Sequence, residues 1–170
     1  MNNRTTSRIH SFPFSADARS RVLILGSMPG VQSLTQQQYY AHPRNLFWDF
    51  MGELFGAGRN LSYEKRLAVL RDHHIALWDV AHSCVRPGSL DSNMTDIVAN
   101  DFTSLFAVAP KIHSVFFNGR KAAALFRKLV LPDLECELEL FTLPSTSPAN
   151  ASASRLQKEG VWKQRLQGPA

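Results

Sequence analysis

Hydrophobic residues along this chain gather into four short runs, each of which ends in glycine, proline or polar residues. The runs are RVLILGSMPG from Arg21, HIALWDV from His74, SVFFNG from Ser114 and ELELFTLPSTSP from Glu137. Short apolar runs that are bounded by turn residues, and are mostly rich in β-branched or aromatic side chains, are typical of buried strands. The pattern therefore predicts four strands.

Apolar residues recur at helical spacing in the segments between these strands. The segments are NLFWDFMGELFG, EKRLAVLRDH, TDIVANDFTSLFAVAP and GRKAAALFRKLV. Strands that alternate with helices form parallel sheets covered on both faces. We therefore predict an α/β fold, a three-layer α/β/α sandwich around a short, mainly four-stranded parallel sheet. Ligands of such sheets bind at the carboxyl ends of the strands, so the residues that follow each strand are the candidates for function.

The length and composition are those of one globular domain. With 170 residues, 44% of them hydrophobic, the chain can bury a sizeable core. We predict a single domain over 1–170, with an N-terminal extension at 1–18 and a frayed tail at 167–170. The first residues lack the apolar segment of a signal peptide, and no run reaches membrane-spanning length. We expect a cytoplasmic monomer with no membrane contact.

The charge favours a polyanionic partner, and the cysteine and histidine pattern argues against a cofactor. The formal net charge is +5, although its scattered basic clusters are also typical of solvated helix faces. Cys84 and Cys136 cannot supply the four thiolates that an iron–sulfur cluster usually takes. His73, His74 and His82 lack the paired spacing of a metal site. We predict no metal and no cofactor.

The loop GSMPG, Gly26–Gly30, matches none of three well-known glycine-containing loops. A phosphate-binding loop requires GxxxxGK[ST], and a dinucleotide-binding loop requires GxGxxG. A nucleophile elbow requires GxSxG, whereas Ser27 directly follows the first glycine. An ordinary strand-to-helix turn remains open, and so does a loop whose backbone closely approaches a ligand, because both use glycine and proline in the same way.

Together with the residues that follow it, this loop resembles the first motif of the uracil-DNA glycosylase superfamily. The run AHPRNLFW is especially similar to the mismatch-specific uracil/thymine glycosylases, and LPSTSPAN, residues 143–150, resembles the second superfamily motif. The combination of GSMPG, WDVAHSCVRPGSLDS and LPSTSPAN most resembles the hypoxanthine-DNA glycosylase branch. The resemblance extends from about Arg21 to Trp162.

The resemblance implies a role for most of the motif residues. A glycosylase flips its target nucleotide into a pocket, where an aromatic ring stacks on the base. By position Tyr40 is that aromatic residue, and the base pocket comprises Gly26, Ser27, Met28, Pro29, Gly30, Tyr40 and Asp79. The second motif would bind the DNA backbone through the hydroxyl of Ser147 and through Asn150, with Asn118 and Arg120 as further DNA-binding candidates. Asp79 is equally compatible with a helix cap or an ion pair, and Asn118 with a turn.

At three motif positions the sequence departs from the family pattern, so the catalytic roles must be reassigned. Relatives often carry aspartate or asparagine at Met28 to position the attacking water, histidine or asparagine at Ser145, and a wedge leucine at Ala149. Methionine cannot hold water, so we assign that task to Asn45, whose amide both accepts and donates. The alternative for Asn45 is a helix cap. Ser145 remains the second catalytic candidate, as a weak donor to the departing base.

The sequence therefore predicts a monofunctional DNA glycosylase of base excision repair that hydrolyses the N-glycosidic bond of a deaminated base, hypoxanthine first. Uracil or a G/U mismatch is the alternative substrate. Two alternatives from other classes stay open: a non-catalytic protein that binds damaged DNA, and a serine hydrolase built on Ser27, a histidine and Asp79.

Overall fold

The computed structural model describes residues 7–167. The elements follow one another as β1 (Arg8–His10), β2 (Val22–Gly26), α1 (Val31–Gln36), α2 (Phe47–Phe55), α3 (Tyr63–Asp72), β3 (Ile75–Asp79), β4 (Ala81–Val85), β5 (Thr95–Ala99), α4 (Phe102–Val108), β6 (Ser114–Asn118), α5 (Arg120–Leu129), β7 (Glu139–Leu143) and α6 (Arg155–Gln167). Residues 168–170 of the predicted tail and residues 1–6 of the predicted N-terminal extension lie outside the described residues.

The predicted parallel sheet is confirmed. Its four strands lie in the order β3-β2-β6-β7, all parallel, and each coincides with one of the four apolar runs. The central strand β6 is buried along its whole length, as expected for a strand covered on two faces, and so is the edge strand β3. In this register Gly26 pairs with Asp79, so the ends of β2 and β3 meet at one edge of the sheet.

Helices cover the two faces of this sheet, which confirms the three-layer architecture. On one face Trp78 packs on Phe102 of α4 and Phe117 packs on Phe126 of α5. The other face carries Phe47 of α2 and Trp162 of α6, whose ring centroids are 6.1 Å apart. Side chains alternate along a strand, so Asp79 and Asn118 lie on the face opposite to that of their neighbours Trp78 and Phe117. The cavity described below therefore lies on the α2 and α6 side of the sheet.

A second, antiparallel sheet of order β1-β4-β5 was missed in the sequence, and it corrects one predicted helix. Residues Thr95–Ala99 at the start of TDIVANDFTSLFAVAP form β5, paired with β4, and the helix begins only at Phe102. Three of these five residues, Thr95, Ile97 and Val98, are β-branched, which favours a strand. Asp101 then caps α4, accepting a hydrogen bond from the Ser104 N–H at 3.2 Å.

Residues within the predicted N-terminal extension contact both sheets. Strand β1 pairs with β4, and Ser15 exchanges backbone hydrogen bonds with Leu77. The side chain of Phe12 is buried in the core. Within residues 7–167, no helix is long and apolar enough to cross a membrane.

Candidate active site

A cavity of about 420 Å³ opens at the carboxyl edge of the parallel sheet, where the sequence placed the functional residues. It is lined by residues 26–33, Tyr40, His42, Arg44, Asn45, Asp79, residues 89–91, Asn118 and residues 145–149. All seven residues predicted for the base pocket border it, and so do Asn45, Ser145, Ser147 and Asn118. Segments of the two motifs that lie 100 or more positions apart in the sequence, within 26–45 and 145–149, therefore meet around one space.

Gly26 forms the floor of the cavity. A Cβ atom there would lie 2.4 Å from Asp79 Oδ1 and 2.9 Å from Tyr40 Oη, and contacts under about 3 Å force a displacement. Glycine is therefore the one residue that lets the carboxyl and the hydroxyl converge over the end of β2. At Gly30 the added Cβ would be 3.4 Å from Ser89 Oγ, which is a much milder contact.

Hydrogen bonds fasten the GSMPG loop to the segment 86–91. The buried Arg86 donates to the carbonyl of Pro29 at 2.6 Å and to that of Gly88 at 2.8 Å. Ser27 Oγ donates to Asp91 Oδ1 at 2.7 Å, and Ser89 Oγ accepts from the Val31 N–H at 2.8 Å. Ser89 thus caps α1 from 58 residues away, and these bonds hold the loop without using Met28.

Met28 is buried, at 7% exposure, and belongs to the hydrophobic core. Its thioether is at most a weak acceptor, which agrees with the expectation that another residue positions water. No group of three or more His, Cys, Asp or Glu side chains in the described part of the chain is placed to hold a metal ion.

Tyr40 borders the cavity with its ring and hydroxyl. The ring packs against Phe47, with centroids 4.1 Å apart and planes inclined by 31°. Its backbone is left-handed, with φ of 55°, and the next N–H donates to Ser33 Oγ at 3.1 Å. The hydroxyl is buried and has no hydrogen-bond partner. Burial and, to a lesser extent, the charge of Asp79 raise the pKa of Tyr40 far above its usual value, so it is neutral.

The side chain of Asn45 bonds the first N–H of a helix and also lines the cavity, so a capping hydrogen bond and a place at the cavity are compatible. Its Oδ1 accepts from the Phe47 N–H at 3.0 Å, at the start of α2. Its backbone carbonyl accepts from Arg59 Nη2 at 2.6 Å, which fixes the turn. Because the cap occupies one lone pair of the side-chain oxygen, a second lone pair and the amide N–H groups remain for a ligand.

The second motif is held by Asn118, at the end of β6. The Asn118 amide donates to Thr146 Oγ1 and accepts from the Thr146 N–H, both at 2.9 Å. The Thr146 carbonyl in turn accepts from the Leu46 N–H at 3.1 Å, which ties the two motifs together. Thr146 is 1% exposed and was missed in the sequence, although its place between two serines of a predicted loop was visible.

The serines on either side of Thr146 use their oxygens as acceptors in local turns. Ser145 Oγ accepts from the Ser147 N–H, and Ser147 Oγ accepts from the Ala149 N–H, both at 3.2 Å. Each hydroxyl hydrogen remains available to a ligand, because a hydroxyl donates and accepts independently.

Asn150 and Arg120 lie outside the cavity lining. Asn150 braces the second motif, because its Nδ2 donates to the Ser145 carbonyl at 3.3 Å and its own carbonyl accepts from Lys158 Nζ at 2.7 Å. Arg120 is exposed at the first position of α5. The exposed Arg44, not singled out in the sequence, places a positive charge at the cavity lining instead.

Asp79 is the most perturbed acid of the cavity. It is 3% exposed, and its Oδ2 has no hydrogen-bond partner. Burial and then the nearby charge of Asp91 raise the pKa of Asp79 to about 8, against an opposing effect of Arg86. The side chain is therefore mostly a neutral carboxylic acid at pH 7.

Comparisons with known proteins bear on the same region of the chain. The family model of the uracil DNA glycosylase superfamily matches residues 12–166. A hypoxanthine DNA glycosylase of Methanosarcina acetivorans is 39% identical over 153 residues, covering 89% of this chain and 94% of its own. One of Methanosarcina barkeri is 35% identical over 150 residues, covering 88% and 92%.

Among solved structures, the solution structure of a protein from Methanosarcina acetivorans, provisionally named a uracil DNA glycosylase, superposes with a TM-score of 0.76. It is 36% identical, and the match covers 95% of this chain and 98% of that one. The family predicted from the two motifs is confirmed, and the chain belongs to the uracil-DNA glycosylase superfamily.

Proposed function

We propose that this protein is a DNA glycosylase that flips a deaminated purine out of DNA and hydrolyses its N-glycosidic bond, with hypoxanthine as the first substrate. The observation that carries the proposal is the meeting of both superfamily motifs around one cavity whose floor combines Tyr40, Asp79 and Gly26. Relatives that match almost the whole chain are named hypoxanthine DNA glycosylases. Enzymes of this kind place the flipped base in a fitted pocket and stack an aromatic ring against it.

Stacking on the base is the role proposed for Tyr40. One side of its ring is supported by Phe47 at a centroid distance of 4.1 Å, and the residue borders the cavity. A ring fixed in this way loses little freedom when a base stacks on it, which favours binding. Residues 26–30 line the same pocket.

Water activation is the role proposed for Asn45. The first-motif residue Met28 is buried among apolar groups, whereas Asn45 lines the cavity with hydrogen-bonding capacity left beyond its cap. A fixed amide can hold a water molecule close to the sugar carbon C1′, where positive charge develops as the base leaves. Ser145 is the donor proposed for the departing base.

DNA backbone binding is assigned to the hydroxyl of Ser147 and to Arg120, with Asn118 and Asn150 acting mainly by holding the second motif in place. Hydrogen bonds to phosphate fix the register of the duplex without reading its sequence. The protein acts as a monomer in the cytoplasm and without a cofactor.

The test is incubation of the protein with oligonucleotides that carry one hypoxanthine, uracil or xanthine, followed by alkali to cut abasic sites. We expect cleavage at hypoxanthine. Cleavage only at uracil would favour the uracil glycosylase alternative, and binding without cleavage would favour a non-catalytic protein. A serine hydrolase is disfavoured because the hydrogen bond of Ser27 Oγ goes to the Asp91 carboxylate, not to a histidine that could act as base.

A further inference from the structure

The cavity lacks the strong donor to the leaving base that many relatives place in the second motif. Ser145 stands there, and a serine hydroxyl stabilises negative charge less than an imidazolium does. His42 also lines the cavity, and its Nδ1 accepts from the Arg44 N–H at 3.1 Å. A group that transfers a proton would stabilise the purine further as its glycosidic bond breaks.

We propose that Asp79 is the general acid of the reaction and donates its carboxyl proton to N7 of the departing hypoxanthine. The inference rests on the function proposed above. It assigns to Asp79 a step in the chemistry, beyond its place in the wall of the base pocket.

The position of Asp79 supports this role. It is the last residue of β3, directly beside Gly26, and its Oδ1 lies over the space that a Cβ on Gly26 would fill. The side chain borders the cavity while being 97% removed from solvent, and Oδ2 has no partner in the protein. Burial of this kind favours the protonated form of the carboxyl group, and the side chain that carries the proton borders the cavity proposed to hold the base.

The surroundings keep the proton on Asp79. The charged groups that act on it are the Asp91 carboxylate, which repels a second negative charge, and Arg86, which partly offsets that effect. The other polar groups that approach from the neighbouring elements are the neutral hydroxyl of Tyr40 and the amide of Asn118. Because burial dominates, the acid form persists to about pH 8, close to the value that suits a general acid working at neutral pH.

The step balances as follows. The C1′–N9 bond breaks and its electron pair stays with the base, while the Asp79 proton moves to N7, so hypoxanthine leaves as a neutral molecule. Water held by Asn45 adds its oxygen to C1′ and releases one proton, which restores the acid form of Asp79. One water is consumed, and the products are an abasic sugar and hypoxanthine.

The experiment measures single-turnover excision of hypoxanthine from a duplex between pH 5.5 and 9.5 for the wild type, Asp79→Asn and Asp133→Asn. Asp133 is exposed and lies outside the cavity, so its variant controls for the change in charge. For the wild type we expect a rate that is level below about pH 8 and falls tenfold per pH unit above it. Asp133→Asn should reproduce this profile.

Asp79→Asn should lose about 10²–10⁴ in rate at pH 7 and show no fall near pH 8, because an amide has no proton to lose in that range. Its binding to a duplex with a stable abasic-site analogue, and its thermal unfolding, should stay near the wild-type values. Asp91→Asn offers a second test, because removing this charge should move the wild-type fall to lower pH.

A fall at the same pH in wild type and Asp79→Asn, or a loss smaller than tenfold, would overturn the role of Asp79. A merely structural role would reduce the rate without changing the shape of the profile. Failure of the wild type to excise hypoxanthine at any pH would instead overturn the proposed function, so the two failures are distinguishable.

Discussion

Two neighbouring regions of this protein differ in whether their buried polar atoms form hydrogen bonds. At Tyr39 two buried polar groups are paired: the Tyr39 hydroxyl donates to the Pro13 carbonyl at 3.0 Å, and the indole of Trp48 donates to the Tyr39 carbonyl at 2.7 Å. One residue later, the hydroxyl of Tyr40 has no partner, and neither has Asp79 Oδ2. Folded proteins satisfy nearly all buried polar groups, so unpaired groups that border a cavity indicate a site for a ligand.

The difference between the two regions affects the stability of the fold as well as its function. The paired region stabilises the fold, whereas the floor of the cavity lowers stability in exchange for groups that a flipped base can satisfy. Substitutions in the two regions should therefore separate activity from stability.

Among substitutions other than those at Asp79, the largest effect is expected at Asn45. Loss of one positioned polar group of this kind costs about 10²–10³ in rate in comparable sites, so Asn45→Ala should lose most single-turnover excision. Because Asn45 also caps α2, the free energy of unfolding should fall by only about 1 kcal/mol. Excision and urea unfolding are measured on the same preparation.

Asn45→Asp separates the two parts of the amide. Aspartate keeps the cap and can accept from water but cannot donate, so its remaining rate reports the importance of donation. Wild-type excision by folded Asn45→Ala would end the catalytic assignment and leave Asn45 as a cap only.

Tyr40→Ala is expected to weaken binding of the flipped base by about 1–3 kcal/mol, the usual contribution of one aromatic–base stack. Tyr40→Phe keeps the ring and should retain most activity. Affinity for a duplex with an uncleavable hypoxanthine nucleotide is the measurement. Equal losses in the two variants would show that the hydroxyl, not the stacking ring, matters.

The two tyrosines themselves provide a test on stability. Tyr39→Phe leaves the Pro13 carbonyl without its donor and should lower the free energy of unfolding by about 1 kcal/mol. Tyr40→Phe removes a hydroxyl that has no partner, so stability should stay the same or rise. Urea unfolding of both variants decides, and equal destabilisation would contradict the contrast between the two regions.

A smaller effect is expected from the positive charge at the cavity lining. Arg44→Ala should weaken binding to all duplexes alike and reduce the slope of log affinity against log salt by about one. Lys111→Ala is the matched control, because Lys111 is exposed just before β6, at the opposite end of the strands. Equal slopes in the two variants would remove Arg44 from the DNA interface.

Much of the fold could be predicted because its signals are local. Each strand of the parallel sheet is a short apolar run, and the order of strands and helices allows few topologies. The helix predicted over residues 95–110 was wrong in its first five residues, because β-branched residues there pair with β4, a contact that periodicity does not reveal. The small antiparallel sheet escaped prediction for the same reason.

The sequence indicated many of the residues that line the cavity, but it did not indicate the contacts among them or their protonation. Motif residues such as Tyr40 and Asn45 were visible in the sequence, and they line the cavity. The hydrogen bond from Arg86 to the Pro29 carbonyl joins residues 57 positions apart. The raised pKa of Asp79 depends on its burial and on the charge of Asp91. Such effects arise only when the chain is folded, because spacing carries no information on burial or distance.

The most direct test of the central claim, that the cavity receives a flipped deaminated purine and releases it, is detection of the free base. A duplex with one hypoxanthine is incubated with excess wild-type protein, and the small-molecule fraction is analysed by mass spectrometry. We expect one hypoxanthine to be released per duplex, together with an equal amount of abasic strand. Retention of the base in DNA that the protein binds tightly would contradict it.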